Sequence, residues 1–186
     1  MEKFEKKNCF YKNNNDDQNH LKIRFVISEK KYLIPDLYYD FKGKEFFVKS
    51  SRNELRKFIE KFDSEYTKIF DEKNIDKNIE KILLRHLIGN ISLARKAKKV
   101  IIGLNEIKLQ LNKKNIYLIF QARNFSQSFE KKISKSHNQK NKIDCFTKEE
   151  LGIAFGKEKI AQIGFLKSSF INPLISDAYR LQSLRS

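Results

Sequence analysis

Residues 100–122, with the sequence VIIGLNEIKLQLNKKNIYLIFQA, decide the fold of the C-terminal part of the chain. The first three are apolar and β-branched, which is typical of a short strand, and Gly103 then permits a tight turn. The spacing after the glycine predicts a helix over residues 105–112. Residues 116–122 show no polar alternation, so we expect an interior strand that is covered on both faces. The stretch therefore predicts a strand, a helix and a second strand in succession.

The same alternation extends in both directions from this stretch. Upstream, apolar residues recur at helical spacing from Ile79 to Ala94, which predicts a long helix that begins at Asn78. Downstream, the pattern predicts helices over residues 125–136, 148–156 and 171–183, and strands over residues 142–146 and 160–165. We therefore expect an α/β fold, a three-layer αβα sandwich, over residues 78–186.

The N-terminal part has a different pattern. Three short strands separated by polar turn residues are predicted over residues 22–28, 31–35 and 44–49. Asn53 is the predicted N-cap of a helix that ends near Phe62. We therefore expect a small α+β domain over residues 21–62, followed by a helix end and an acidic linker over residues 63–77. Residues 1–20 are polar and low in complexity, which predicts a disordered tail.

The charge of the chain indicates the kind of partner. Lysines and arginines number 39 against 23 acidic residues, giving a net charge of +16, and most of the excess lies in residues 78–186. A localised positive excess favours nucleic acid or an anionic lipid surface as the partner. No apolar run approaches the length of a membrane span, and residues 1–20 lack an apolar secretory signal. We therefore expect a cytoplasmic location, no membrane partner and a nucleic-acid partner.

Catalytic and metal-binding signatures are missing from the sequence. Cys9 and Cys145 form no metal-binding spacing with the three histidines, so we expect neither a metal nor a cofactor. His86 falls on the apolar face of its predicted helix and is expected to be a core residue. No nucleophile motif and no phosphate-binding glycine loop appears, which argues against an enzyme.

The start of the helix after Gly103 is the strongest candidate site. A helix start presents unpaired backbone N–H groups that can bind phosphate oxygens. Asn105 offers both a donor and an acceptor, and Glu106 can accept from guanine or cytosine amino groups, so the pair can distinguish bases. A structural explanation competes with this one, because asparagine is a common N-cap and an acid in the first turn stabilises the helix dipole.

Residues 78 to about 170 resemble the kink-turn-binding ribosomal-protein superfamily. The resemblance is carried by a strand followed by Gly-Leu-Asn-Glu at residues 103–106, and by the upstream segment ISLARKAKKVIIG, which is similar to the bacterial branch. In that family the Asn and Glu contact sheared G·A pairs of bent RNA, which implies the same role for Asn105 and Glu106. A lysine usually follows the Glu by three residues, whereas this chain has Leu109 there and Lys108 about 100° away around the helix.

Residues 22–51 are similar to the YlxR family of small bacterial proteins. The resemblance rests on Arg24-Phe25-Val26, on Asp36, and on the turn that begins at Gly43. It implies a second RNA-binding module. The residues themselves allow a basic face, with Phe46 or Phe47 available for stacking on bases, although alternation of these phenylalanines into the core is the favoured explanation. That face would comprise Arg24, Lys42, Lys44, Lys49 and Arg52. Fusion of the two units is itself a bacterial arrangement.

These observations predict a non-enzymatic RNA-binding protein whose partner is structured RNA, ribosomal or another non-coding RNA, free or in a ribonucleoprotein. The alternative is a protein-interaction factor that docks on the ribosome or the transcription machinery and contacts RNA only nonspecifically. The predicted RNA-binding residues are Lys98, Lys99, Gly103, Asn105, Glu106, Lys108 and Lys148 in the C-terminal domain, and Arg24, Lys42, Lys44 and Arg52 in the N-terminal one.

Overall fold

A computed structural model describes residues 21–62, 66–68, 70–123 and 142–186. The chain divides into two compact units, one reaching to Ile82 and including Ser183–Ser186, the other comprising Leu83–Gln182. The predicted disordered tail and the predicted helix over residues 125–136 lie outside the described residues.

The first unit contains a four-stranded sheet. Its strands are β1 (Lys22–Ile27), β2 (Tyr32–Pro35), β3 (Lys44–Lys49) and β4 (Thr67–Lys68), in the order β3-β1-β2-β4. Strand β1 pairs antiparallel with both β2 and β3, and β4 joins β2 in parallel. The three predicted strands are confirmed, and β4 is an additional strand whose two residues are too few to be predicted from the sequence.

Helix α1 (Arg52–Lys61) covers one face of this sheet. The rings of Phe25 and Phe58 lie 4.9 Å apart, and Phe46 meets Phe62 edge-on at 5.5 Å. The N-cap is Ser51 and not Asn53, because Ser51 has the extended backbone of a cap and its hydroxyl accepts from the Glu54 N–H at 3.4 Å. The predicted cap was wrong by two residues.

The connection from β2 to β3, residues 36–43, lies over the opposite face. A Cβ at Gly43 would come within 2.0 Å of the Ile27 carbonyl oxygen and 2.8 Å of a Val26 methyl. This close approach, together with a φ of +151°, requires glycine at that position.

The segment predicted as a helix end and linker has its own structure. Helix α1 ends at Lys61, and after β4 a 3-10 turn (Glu72–Asn74) leads into α2 (Ile75–Lys96), which begins three residues earlier than predicted. The Asn74 amide and the Lys73 N–H hydrogen-bond Asp71, and these bonds hold the pKa of its carboxyl below the ordinary value. The earlier helix start follows from the complete burial of Ile75, which anchors the first turn of α2.

The second unit contains the other four-stranded sheet. Its elements after α2 are β5 (Val100–Ile102), α3 (Leu104–Asn112), β6 (Ile116–Ala122), β7 (Lys142–Phe146), α4 (Lys148–Ile153), β8 (Gln162–Leu166) and α5 (Ile171–Arg185). The strand order is β5-β8-β6-β7, with β8 antiparallel to β5 and β6, and β7 parallel to β6. Strand β6 is thus interior, as its apolar run predicted.

Both faces of this sheet are covered. On one face Ile107 and Leu111 of α3 pack on Ile119, and a Cβ at Gly164 would meet Ile107 at 3.4 Å. Residues that alternate to the other face are buried as well, since Phe120 lies 5.1 Å from Phe146. The mixed α/β fold with a layered C-terminal unit is therefore confirmed. Within the described ranges, no helix has the length and apolarity to cross a membrane.

Candidate nucleic-acid interface

Helix α3 begins without a side-chain cap. Gly103 occupies the N-cap position with a φ of +97°, where a residue with a Cβ would be strained, and it is exposed. The first intrahelical bond runs from the Ile107 N–H to the Gly103 carbonyl at 3.0 Å. The N–H groups of residues 104–106 therefore have no acceptor within the helix, and no side chain accepts at the cap.

Asn105 and Glu106 are both exposed at this helix start. Neither caps the helix with its side chain, because the N-cap is Gly103. The Glu106 carboxylate instead accepts from Gln110 Nε2 at 3.0 Å, and Gln110 Oε1 accepts from Asn115 at 3.0 Å. This chain of hydrogen bonds orients the carboxylate on the outer side of α3. The favourable position of Glu106 in the first turn remains, so helix stabilisation and base contact are compatible explanations for its presence.

The sheet topology decides which other predicted residues are near this helix start. Strands β5, β6 and β7 run in the same direction, so their carboxyl ends lie at one edge of the sheet. Gly103 follows β5 and Lys148 follows β7, so both lie at that end of the sheet, but β5 and β7 are its two outer strands, three strand spacings or roughly 14 Å apart. Lys98 and Lys99 precede β5 and lie at the opposite edge, where the Lys99 carbonyl accepts from the Leu166 N–H at 2.9 Å. Lys98 and Lys99 therefore do not form one cluster with Lys148.

Two apolar side chains flank the Asn105–Glu106 pair. Leu109 is 47% exposed one turn along α3, and Ile102 is 36% exposed at the end of β5. Lys108 is half-buried, on a different side of the helix from Leu109. The exposed surface around the pair is consequently more apolar than the lysine content of the chain suggests.

In the first unit the predicted residues have different surroundings. Lys42 and Lys44 are exposed, and the Lys44 ammonium lies 5.7 Å from the centre of the Phe46 ring. Arg52 is half exposed but forms ion pairs with Asp76 at 3.8 Å and with Glu80 at 3.4 Å. The positive charge of Arg52 is thus shared with two carboxylates, whereas the lysines project into solvent.

Arg24 does not lie on a surface, which corrects its predicted role. Its side chain is 6% exposed and pairs with the buried carboxylate of Asp36. Its second terminal nitrogen donates to the Phe41 carbonyl at 3.0 Å and to Glu45 at 2.6 Å. Both terminal nitrogens of the guanidinium are bonded to these partners beneath the loop of residues 36–43, so the group has no access to phosphate. The residue types that predicted β1 gave no indication that a loop covers the face of the sheet on which Arg24 lies.

One histidine and carboxylate pair escaped the sequence analysis. His86 Nδ1 lies 2.6 Å from Asp177 Oδ2, and the His86 side chain is 40% exposed, so it is not the core residue that was expected. The buried Asp177 also accepts from Arg180 at 3.4 Å. Positions 86 and 177 are too distant in sequence for any local motif to show the pair. Among the residues that the structure describes, no three His, Cys, Asp or Glu side chains form a group that could hold a metal ion.

Comparison with known proteins assigns no family. No protein-family model matches the chain, and no curated protein matches it. The structure of a protein with unknown function from Bacillus halodurans C aligns with 50% of this chain and 95% of its own, with 17% identity and a TM-score of 0.45. The resemblances to the kink-turn-binding and YlxR families therefore stay predictions.

Proposed function

We propose that the protein is a non-enzymatic RNA-binding protein that contacts structured RNA through the start of α3. The observation that carries the proposal is the uncapped helix start at Gly103, where the exposed side chains of Asn105 and Glu106 stand beside unpaired N–H groups. These groups supply phosphate donors and base-edge contacts within four consecutive residues.

The mechanism divides between attraction and discrimination. Exposed lysines neutralise phosphates without regard to sequence, because the ammonium group is a point charge. Asn105 donates to and accepts from a base edge, while Glu106 accepts from an exposed amino group and repels phosphate wherever that amino group is missing. Gln110 keeps the carboxylate of Glu106 in place before the RNA arrives. A second module on the same chain raises the effective concentration of the first, so each contact can be weak.

Two RNAs of equal length test the proposal. The first is a kink-turn RNA with sheared G·A pairs, and the second is a fully paired duplex. Fluorescence anisotropy should give the wild-type protein at least a tenfold preference for the kink-turn RNA. Asn105→Ala combined with Glu106→Ala should remove that preference and leave duplex affinity within about threefold, because the lysines remain. Asn112→Ala, at the other end of α3, is the matched control and should behave as wild type.

The salt dependence of binding provides a second measurement. If about five phosphates are contacted, log affinity should fall with log salt at a slope near −4. A slope near zero, or an unchanged preference in the Asn105 and Glu106 double variant, contradicts the proposal.

A protein-interaction factor is the second candidate, and the exposed apolar residues favour it. Leu109 and Ile102 flank the Asn105–Glu106 pair and give this surface the mixed apolar and polar character of a protein contact. Leu109→Lys separates the two functions. It should strengthen RNA binding by adding a cation beside the pair, whereas it should weaken a protein contact by placing a charge in an apolar interface.

A further inference from the structure

The loop of residues 36–43 is held rigidly across the face of β1 that is opposite to α1. The two carboxylate oxygens of Asp36 accept from the Asp40 N–H at 2.9 Å and from the Phe41 N–H at 3.1 Å. Arg24 pairs with the same carboxylate from below and donates to the Phe41 carbonyl at 3.0 Å. The buried ion pair of Arg24 and Asp36 therefore fixes the middle of the loop by hydrogen bonds to the backbone of Asp40 and Phe41.

This rigid loop presents aromatic rings to solvent. Tyr39 is 60% exposed and Phe41 is 47% exposed. The guanidinium carbon of Arg24 lies 4.6 Å from the centre of the Tyr39 ring, so one face of the ring rests on a cation. The solvent-exposed part of Tyr39 is therefore the ring surface that does not face Arg24, and a planar partner can stack there.

The backbone of Tyr39 is strained. Its φ is +65°, a left-handed conformation that is unfavourable for a bulky residue. Such a conformation persists only when the surroundings impose it, and here Asp36 and Arg24 do so. The hydrogen bonds of the loop thus hold an aromatic ring outward at a position where glycine or asparagine would be the relaxed choice.

Further features of the same face suit a nucleic acid. Phe47 lies opposite Arg24 in the register of β1 and β3, and facing residues of an antiparallel pair point to the same side, so this half-buried ring is on the loop side of the sheet. Lys42 is exposed in the loop itself, and Lys49, two positions after Phe47 and therefore on the same side of β3, is exposed as well. Asp40 is also exposed in the loop and carries the opposite charge to these lysines. The carboxylates of Asp36 and Glu45 both form ion pairs with Arg24.

We propose that this loop is a binding site for unpaired nucleotides, with bases stacked on Tyr39 and Phe41 and the backbone phosphates near Lys42 and Lys49. Every base has a flat π-face, so aromatic side chains bind single strands with little sequence preference. The site rests on the proposed RNA-binding function and adds a second ligand class to it, since the start of α3 reads folded RNA. Arg24 is a positioning residue that supports the Tyr39 ring.

The test uses the full chain and an eight-nucleotide RNA without self-complementarity, with a blunt RNA duplex as the comparison ligand. Tyr39→Asn removes the ring and keeps a residue that tolerates the left-handed backbone, so the loop should fold. We expect it to weaken single-strand binding at least tenfold, Phe41→Leu to act in the same direction, and Tyr39→Phe to stay within about twofold of wild type. Tyr117→Leu is the matched control, since Tyr117 is a 41% exposed strand residue of the other sheet, with Lys167 5.7 Å from its ring centre.

Three results would overturn the site. Single-strand affinity could be the same in Tyr39→Asn, Phe41→Leu and Tyr117→Leu. Affinity for the duplex could fall as much as affinity for the single strand, which would exclude stacking on unpaired bases. The substitutions could instead release a bound protein while RNA affinity is unchanged, which would make the loop a protein contact. If the wild-type protein still prefers kink-turn RNA under any of these outcomes, only the inference about the loop fails. If the wild-type protein binds neither the kink-turn RNA nor the single strand, the proposed function fails as well.

Discussion

Substitution of Asp36 by alanine should destabilise the first unit by about 3 kcal/mol. Asp36 and Arg24 have side chains that are 1% and 6% exposed, and removal of one partner of a buried ion pair costs roughly 3–5 kcal/mol because the other charge is left uncompensated. Glu45 still reaches Arg24 at 2.6 Å, which places the loss at the lower end of that range. The N–H groups of Asp40 and Phe41 lose their acceptors, but these residues are exposed and water can replace the carboxylate at little cost.

Hydrogen exchange measures this loss in the first unit separately from the second. Amides of β1 that exchange by unfolding of the sheet should become about 150-fold faster in the Asp36→Ala variant, since roughly 1.4 kcal/mol corresponds to a factor of ten. Amides of β6 should keep their rates. Glu45→Ala is the matched control, because its carboxylate is 44% exposed and a solvated ion pair contributes only about 0–1 kcal/mol.

A double substitution checks the assumption that the isolated charge is responsible. Arg24→Met together with Asp36→Leu removes both charges and should restore much of the lost stability, because an apolar replacement of a buried pair is often neutral. If Asp36→Ala changes the exchange of β1 less than threefold, or if the double variant is worse than the single one, the reasoning about the buried pair is refuted.

Two further predictions concern backbone and pH. Gly43→Ala should cost several kcal/mol or prevent folding of the first unit, because its Cβ would meet a backbone oxygen at 2.0 Å. Gly103→Ala has open space and should cost only the backbone strain of its φ and ψ, about 1–3 kcal/mol, and thermal unfolding can compare the two variants. The pKa of Glu149 is lowered, chiefly by its own backbone N–H and further by the Thr147 hydroxyl and nearby lysines. The stability that the ionised Glu149 gives α4 is therefore present above the unfolded pKa of about 4.3, and it is lost as pH falls through the lower folded pKa. Glu149→Gln should remove that part of the pH dependence of hydrogen exchange in residues 148–153 between pH 5 and pH 3, and an identical profile in wild type and variant would contradict it.

The parts of the fold that sequence predicted are those that short segments determine. Strand β3 has its predicted bounds because KEFFVK is rich in aromatic and β-branched residues between turn-prone polar ones, and β6 was recognised from an uninterrupted apolar run. The start of α3 could also be predicted from a short segment, since Gly103 to Glu106 are consecutive. What failed was burial of charge: Asp76 is buried and pairs with Arg56 at 3.0 Å, so this acidic residue belongs to the packed start of α2 and not to a linker. The partner of Asp76 lies twenty positions earlier, where no periodicity connects the two.

The candidate stacking site was missed for the same physical reason. Phe46 and Phe47 were considered for stacking because they stand in a basic strand, yet Phe46 packs on Phe58 and Phe62 in the core. The exposed rings are those of Tyr39 and Phe41, whose outward position depends on an ion pair between Arg24 and Asp36 and on the path of a loop across β1. An aromatic residue in a loop carries no periodic signal, so its exposure is knowable only from the assembled sheet.

The burial of Arg24 also changes how a binding experiment on this residue must be interpreted. Arg24→Ala would weaken RNA binding if Arg24 contacted phosphate, and it would also weaken binding if Arg24 only supports Tyr39. The two causes differ in their salt dependence, because loss of one phosphate contact lowers the slope of log affinity against log salt by about one, whereas loss of a stacking support leaves the slope unchanged. The geometry predicts an unchanged slope, since the guanidinium is occupied by Asp36, Glu45 and the Phe41 carbonyl. Lys42→Ala, an exposed lysine of the same loop, should lower the slope, and the opposite pattern would place Arg24 in contact with phosphate after all.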